Sequence, residues 1–366
     1  MNLTLPKSSL LRLLSICNGI ASKKSVMPVL ANVLLTADPA TGLEASATNL
    51  DLSFNGATRA TVKAAGSIAV GCRDLLERVK VMPDGDVTLS VDKGAVKLSA
   101  GSRRFTLQAM DAGEYPALPE QPESATSRTF SVADLLTLIA KVEPSVSRDE
   151  TRIHLNSACI EANVGKLRMI STDGHRLSVA ALDFGGEGFS PILLPLGGLV
   201  ELRRLLDGTD ETEVALAWTG AVLFCSIGDD VYTAKLADAA FPPWEQVIPE
   251  SSERRITLAR AALADAVKAV AVAASERTGG VKLTLGRGKL RVESESPESG
   301  EGFDELTIDY DGAEVSIGCN ARYLLEALAA ASDEGLALEL SGELDPILVK
   351  QPDGDGVLVV LMPMRV

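Results

Sequence analysis

Basic charge in excess, aromatic side chains, and cysteines paired for metal or disulfide chemistry are all scarce in this sequence. No apolar run approaches the roughly 18 residues that a membrane span needs, so no membrane segment is expected. The five cysteines are Cys17, Cys72, Cys159, Cys225 and Cys319. None forms a C-x-x-C pair, which speaks against a zinc site or a disulfide framework and for buried free thiols in a reducing cytoplasm. Only two histidines occur, His154 and His175. Aromatics are 4% of the chain against 46% hydrophobic residues, so Leu, Val and Ala must fill the cores. The opening "MNLTLPKSSLLRLL" has no charged segment ahead of an apolar block, so no secretory signal is expected. No Gly-rich phosphate loop is present, so no ATP hydrolysis is expected. The net charge of −15 argues against a protein basic all over, as a simple nucleic-acid binder would be. Net charge averages over the surface, however, and a cleft or channel can carry the opposite sign.

With 366 residues the chain is too long for one ordinary core, and it repeats. Leu5 in "LTLPKSSLLRLL", Phe130 in "TFSVADLLTLI" and Leu258 in "ITLARAALADAV" each precede apolar residues at helical spacing: Leu10 and Leu14, Leu135 and Ile139, Leu263 and Val267. A second anchor, Val70, Leu194 and Ile317, lies halfway through each unit, followed by Gly71, Pro195 and Gly318 as a turn into a helix requires. Tyr115-Pro116 and Phe241-Pro242 match at the ends of the first two units. The pattern predicts three similar α+β domains, each two repeats of a helix plus antiparallel sheet, over 1–122, 123–250 and 251–366. The joints fall at "LPEQPESATS" and "IPESSERR", rich in Pro, Ser and Glu.

Charge is segregated along this pattern. The six predicted helix windows hold eleven basic and seven acidic residues, an excess of four, so the rest of the chain carries −19. Arg and Lys are good helix formers, which accounts for part of the bias. The alternative is that six equivalent helices share one surface facing a polyanion, while the acidic remainder stays in solvent.

The stretch "STDGHRLSVA" sets His175 between Asp173 and Arg176. It fits a β-turn with Asp173-Gly174 at its tip, or the polar rim of a pocket. A catalytic role would need a nucleophile or metal and a third group to orient His175; none is recognisable, so no catalytic residue, cofactor or metal is expected.

The motifs "MPVLANVLL", "TRIHLN", "STDGHRLSV", "IPE" and the terminal "VLMPMRV", together with the threefold repeat, resemble the bacterial DNA sliding clamp family, the β subunit of DNA polymerase III, from Met1 to Val366. The resemblance implies a ring-forming head-to-tail homodimer that encircles double-stranded DNA without reading its sequence. It acts in the cytoplasm as a processivity factor, not as an enzyme. Its implied partners are the catalytic subunit of DNA polymerase III, the clamp loader, and other polymerases and repair proteins with clamp-binding peptides; no membrane is involved. The implied peptide pocket is Leu155, Thr172, Gly174, His175, Arg176, Leu177, Pro242, Val247, Val360, Met362, Pro363, Met364 and Arg365. The implied DNA contacts are Lys24, Arg73, Lys80, Arg152, Arg204 and Tyr323, and the implied dimer contacts are Phe105 against Val270 and Val272. His154 and Gln246 stand where the family often has an aromatic and an arginine. The competing function is a diverged copy that scaffolds peptides without encircling DNA; the charge segregation favours encirclement.

Overall fold

The structure is a computed structural model that describes residues 1–22, 26–163, 165–331, 335–352 and 356–365. Its elements form three successive sets. The first is β1 (Asn2–Pro6), α1 (Lys7–Ile20), β2 (Asn32–Asp38), β3 (Gly42–Thr48), β4 (Leu52–Thr58), β5 (Thr61–Ala64), β6 (Gly66–Gly71), α2 (Cys72–Lys80), β7 (Asp86–Asp92), β8 (Ala95–Ala100) and β9 (Arg103–Met110). The second is β10 (Thr126–Ser131), α3 (Val132–Val142), β11 (Ser157–Asn163), β12 (Gly165–Thr172), β13 (Arg176–Phe184), β14 (Phe189–Pro195), α4 (Leu196–Asp207), β15 (Glu213–Trp218), β16 (Val222–Ile227) and β17 (Asp230–Lys235). The third is β18 (Arg254–Leu258), α5 (Arg260–Val270), β19 (Gly280–Gly286), β20 (Lys289–Ser296), β21 (Gly300–Thr307), β22 (Val315–Asn320), α6 (Ala321–Ala330), β23 (Leu336–Leu340), β24 (Ile347–Lys350) and β25 (Val357–Leu361). Each half-set is a strand, a helix and three strands, as the repeat predicts. β5 is the addition peculiar to the first set.

The helices form where apolar residues recur three and four apart. α1 buries Leu10, Leu13, Leu14, Cys17 and Ile20; α5 buries Leu263, Ala266, Val267 and Val270; α6 buries Leu324, Ala327 and Leu328. In α2, Asp74 lies in the first turn and Arg78 and Lys80 in the last, the arrangement the helix dipole favours.

The chain divides into two compact units, Met1–Ala133 with Val200–Leu236, and Asp134–Leu199 with Ala237–Val366. The first holds one 13-stranded sheet in the order β10-β15-β16-β17-β4-β3-β2-β6-β9-β8-β7-β1-β5. The second holds an eight-stranded sheet, β14-β11-β12-β13-β25-β24-β23-β18, and a four-stranded one, β21-β20-β19-β22. Two pairings join different sets. Antiparallel β17 and β4 meet from Val231↔Asn55 to Ala234↔Leu52, in the first unit. Antiparallel β13 and β25 meet from Arg176↔Leu361 to Ala180↔Val357, in the second. These seams continue the sheets across the repeats.

All five cysteines are free and buried. Burial pushes the thiols of Cys72, Cys159, Cys225 and Cys319 up to about 12, and that of Cys17 well above its ordinary value, with Cys72 nearby adding to the effect. Among the described residues no group of three or more His, Cys, Asp or Glu is placed to hold a metal ion, and no helix is long and apolar enough to cross a membrane. Because only the thiolate is nucleophilic, an aromatic disulfide reagent near neutral pH is expected to find no fast-reacting thiol in the native chain and all five after denaturation. Rapid native reaction of even one would contradict this placement.

Candidate functional site

The turn from β12 into β13 is wired by its own side chains. Asp173 Oδ1 accepts the N–H groups of His175 at 2.9 Å and Arg176 at 3.1 Å, and Oδ2 accepts Arg176 Nε at 3.2 Å. Thr172 Oγ1 accepts the Gly174 N–H at 3.1 Å and donates to the Arg176 carbonyl at 2.6 Å. Gly174 sits at φ +91°, a conformation glycine adopts without strain. Both oxygens of Asp173 are thus engaged within the turn, and the side chain of His175 is exposed beside them.

The seam between β13 and β25 brings the C-terminal strand to this turn. Leu177 pairs with Val360 and Arg176 with Leu361, and the Met362 N–H donates to the His175 carbonyl at 2.9 Å. Leu177 and Val360 are buried with Cys159, Ile170, Leu193 and Leu348, and Phe241, Trp244 and Ile248 pack against that cluster. Above this apolar floor Val247 and Met362 stay 43% and 41% exposed, where a soluble surface would favour polar residues. Pro242, Pro363 and Met364 are half-buried, Thr172 likewise, and Leu155 is buried. The result is an apolar patch edged by a polar turn, a surface suited to an apolar peptide segment. Methionine on such a patch adapts to related ligands by repacking.

Two of the implied pocket residues point elsewhere. Arg176 is only 7% exposed; besides Asp173 it engages the Glu326 carboxylate and the Pro144 carbonyl, and its guanidinium lies 4.2 Å from the centre of the Tyr323 ring. Arg365 lines a separate cavity of about 560 Å³ with Ser275, Thr278, Arg291 and Phe303. Conversely Arg152, implied for DNA, lies beside the turn: its Nη1 is 3.8 Å from where a Cβ on Gly174 would stand.

Models of the DNA polymerase III beta subunit match this chain in three parts: the N-terminal domain over residues 1–119, the central domain over 129–243 and the C-terminal domain over 245–365. The beta sliding clamps of Pseudomonas aeruginosa and Caulobacter vibrioides are 31% and 33% identical to it, over the full length of both chains in each case. The chain belongs to the beta sliding clamp family. A crystal structure of the P. aeruginosa sliding clamp bound to griselimycin superposes with a TM-score of 0.94, at 30% identity and complete coverage of both chains.

The clamp-family residues implied for DNA are placed as follows. Lys24 lies outside the described residues. Arg73 and Lys80 are exposed on α2, but Glu77 lies between them: Lys80 Nζ is 2.8 Å from its carboxylate, and Lys80, then Arg73, hold its carboxyl below the usual range. Arg152 pairs with Asp149 at 3.0 Å. Arg204 binds Glu201 and reaches the carbonyls of Ser15 at 3.4 Å and Ile16 at 3.1 Å. It fits because Gly19 has no side chain; a Cβ there would come within 2.6 Å of its Nη2. Tyr323 lies against Arg176. Of the implied dimer residues, Phe105 is half-buried, Val272 is 80% exposed, and Val270 is buried in a core with Leu263 and Val267. Sequence reasoning passed over Trp244 beneath the patch, Glu326, and Phe303, 67% exposed on β21. Trp244 stood in plain view in "FPPWEQVIPE" as one of two tryptophans; the other two carried no motif.

The wiring of the turn is testable by denaturation. Gly174→Ala adds a Cβ that meets only Arg152 Nη1, at an unstrained 3.8 Å, so its cost is the strain of the positive φ, about 1–2 kcal/mol. Asp173→Ala removes three hydrogen bonds and is expected to cost more, about 2–3 kcal/mol. Urea unfolding of both variants checks the order; a Gly174→Ala protein as stable as the parent would contradict the turn geometry.

Proposed function

We propose that the chain is a non-enzymatic processivity clamp of DNA replication, acting in the cytoplasm. Two copies close head to tail around duplex DNA, slide along it, and hold polymerases and repair proteins through the patch at the β13–β25 seam. The observation that carries this reading is the pattern of seams. β17 of the second set pairs with β4 of the first, and β25 of the third pairs with β13 of the second. Continuing the pattern leaves two strands over. One is β21, the equivalent of β4 and β13, at the edge of its sheet. The other is β9, the equivalent of β17 and β25. It touches β6 only through Ala109 and Met110, so Arg103–Gln108 keep a free edge on that side among the described residues. Pairing β9 of one copy with β21 of the other, twice, satisfies both edges and closes a ring of six sets. Exposed Val272 and Phe303 and half-buried Phe105 supply apolar contact for that seam.

The electrostatics support retention by topology over tight DNA binding. Arg12 on α1 pairs with Asp230, Lys80 with Glu77, Arg203 with Asp207, Arg204 with Glu201 and Lys268 with Asp265. Helix cations already neutralised locally release few counterions on meeting phosphate, so direct affinity should be low. The griselimycin complex of the P. aeruginosa relative supports a fold that accepts a ligand. On this reading the natural ligands are short Gln- and Leu/Phe-containing peptides of the catalytic subunit of DNA polymerase III, the clamp loader and other polymerases and repair proteins.

Phe105→Asp puts an unpaired charge in the proposed contact and is expected to convert a sedimenting dimer into folded monomers; an unchanged dimer would remove β9 from the interface.

Loaded onto circular DNA by an ATP-driven loader, the protein is expected to survive a high-salt wash and to leave once the circle is cut. Gel filtration before and after linearisation decides the matter. Equal retention on both forms would mean a surface binder, not a ring.

A further inference from the structure

Strand registers give the patch a counterpart in the third set. Leu193 and Ser316 each precede a repeat anchor, Leu194 and Ile317. Cys159 pairs with Leu193 and Ile170, and Thr284 with Ser316 and Arg291, so Ile170 and Arg291 correspond. The pair Thr172↔Leu177 then corresponds to Glu293↔Phe303. The last strands are matched in the same way. Thr4 and Thr257 each precede an anchor, Leu5 and Leu258. From Thr4 the pairings run through Thr88 and Ser99 to Arg104, and from Thr257 through Ala337 and Lys350 to Leu358. Arg104 thus matches Leu358, Thr106 matches Val360 and Gln108 matches Met362. Leu177 lies beside Val360 in its seam. Pairing β9 with β21 in the same register therefore sets Phe303 beside Thr106 of a second copy. Glu293 and Phe303 line the 560 Å³ cavity that Arg365 also lines, a volume ordinary for a ligand site. β21 is an edge strand. The wall that Val360 and Met362 give the patch is thus missing from this cavity until a second copy brings Thr106 and Gln108, both exposed.

We propose that this cavity, completed by the second copy, is a further docking site, and that it takes a protein segment with an arginine or lysine next to an aromatic or branched apolar side chain. Its floor is already satisfied. Lys282 Nζ lies 2.6 Å and Arg291 Nε 2.7 Å from the Glu293 carboxylate. The Arg291 guanidinium also lies 4.7 Å from the centre of the Phe303 ring. That ring is still 67% exposed, and a threonine beside it is too small to cover it. The rim is not satisfied. The β20–β21 ladder runs three pairs beyond Glu293↔Phe303, to Ser296↔Gly300, whereas β12–β13 stops at Thr172↔Leu177. The extension sets Glu295 directly opposite Glu301. Both are exposed and line the cavity, and neither has an ion-pair partner among the described residues. Like charges facing each other across two strands repel. Arg365 is one cation against these two carboxylates, and Thr106 and Gln108 of the second copy add none. A cationic side chain between Glu295 and Glu301 relieves the repulsion, and an apolar neighbour on the same segment covers Phe303. The Gln and Leu/Phe of a patch ligand bring no such cation.

The site rests on the ring reading above. The probe is Nα-benzoyl-arginine amide, which carries an aromatic ring and a guanidinium. Its binding is read by fluorine NMR on the full-length dimer with para-fluorophenylalanine in place of Phe303. The fluorine signal is expected to shift saturably. The citrulline analogue, in which a neutral urea replaces the guanidinium, is expected to bind about tenfold more weakly, as is the arginine probe to a Glu295→Gln, Glu301→Gln double variant. Gln108→Arg puts a like charge in the second wall. It is expected to weaken the probe about fivefold in the dimer and to change nothing in the Phe105→Asp monomer. A dimer whose signal does not move, equal binding of the citrulline analogue, parental affinity in the Gln108→Arg dimer, or displacement of the probe by a clamp-binding peptide would each overturn the site. Should Phe105→Asp not fold, the Gln108→Arg dimer decides whether the second copy takes part. Sedimentation of the same samples separates the two failures. A dimer that ignores the probe overturns the site alone, whereas a monomeric parent overturns the ring reading and the site with it.

Discussion

Main-chain hydrogen bonding between strands of different repeats is the constraint on which the rest depends. A strand at a sheet edge presents unpaired N–H and C=O groups that must find partners or be protected. Here β4 and β13 find them in the last strand of the following set. Side chains then reinforce each seam. In the first unit the hydroxyls of Ser53 and Thr233 meet, and Arg12 binds both Asp230 and the Ala57 carbonyl. In the second, Arg176 ties the turn to α6. The candidate site is a by-product of this arrangement. It lies where a seam ends, because the seam alone brings the 172–177 turn to the C-terminal tail.

The two seams share a scaffold and differ in what they display. In the first, the Asn49 side chain accepts the N–H groups of Asp51 at 3.0 Å and Leu52 at 2.7 Å, the task that Asp173 performs in the second. The Lys235 N–H bonds the Asp51 carbonyl at 2.8 Å, just as the Met362 N–H bonds that of His175 at 2.9 Å. At these equivalent positions one seam carries Lys235 and Asp51, joined by a 3.2 Å ion pair, and the other carries Met362 and His175. A charged pair solvates the end of the first seam. Methionine, with Val247 and Pro242 beside it, leaves the second apolar. Side-chain chemistry on a repeated backbone is thus sufficient to make one junction polar and the other apolar.

Much of this was legible in the sequence, and what was not has physical causes. The six helices announce themselves because each packs one face, so Leu10, Leu135 and Leu263 recur at helical spacing ahead of the strands. The half-set order follows from the same spacing. β5 was missed because "TVKA" is short and half-polar, and it becomes a strand only by pairing with β1 through contacts such as Leu3↔Val62. The turn at Asp173-Gly174 was legible because its wiring is local. Arg176 and Arg204 were not: an arginine in a motif looks the same whether it faces a ligand or a neighbouring carbonyl. Its partners, Glu326 for one and Ser15 and Ile16 for the other, lie 150 and nearly 190 residues away in sequence. Val270 and Val272 differ by two positions and by nearly the whole range of exposure, because the helix ends between them.

Charge compensation on the helices bears on the proposed mechanism. A tether that must travel with a polymerase gains nothing from strong contact with phosphate, since each neutralised phosphate adds to the barrier for the next step. The sequence count of eleven basic against seven acidic helix residues suggests a mild attraction, and the structure places several of those cations within reach of a carboxylate before any DNA arrives. What remains is a weak field without fixed anchors. Such a surface permits sliding but not residence, so residence has to come from closure of the ring. In the proposed ring, closure rests on β9 and β21, the two strands that the seam pattern leaves over, and so on the same main-chain hydrogen bonding that joins the repeats.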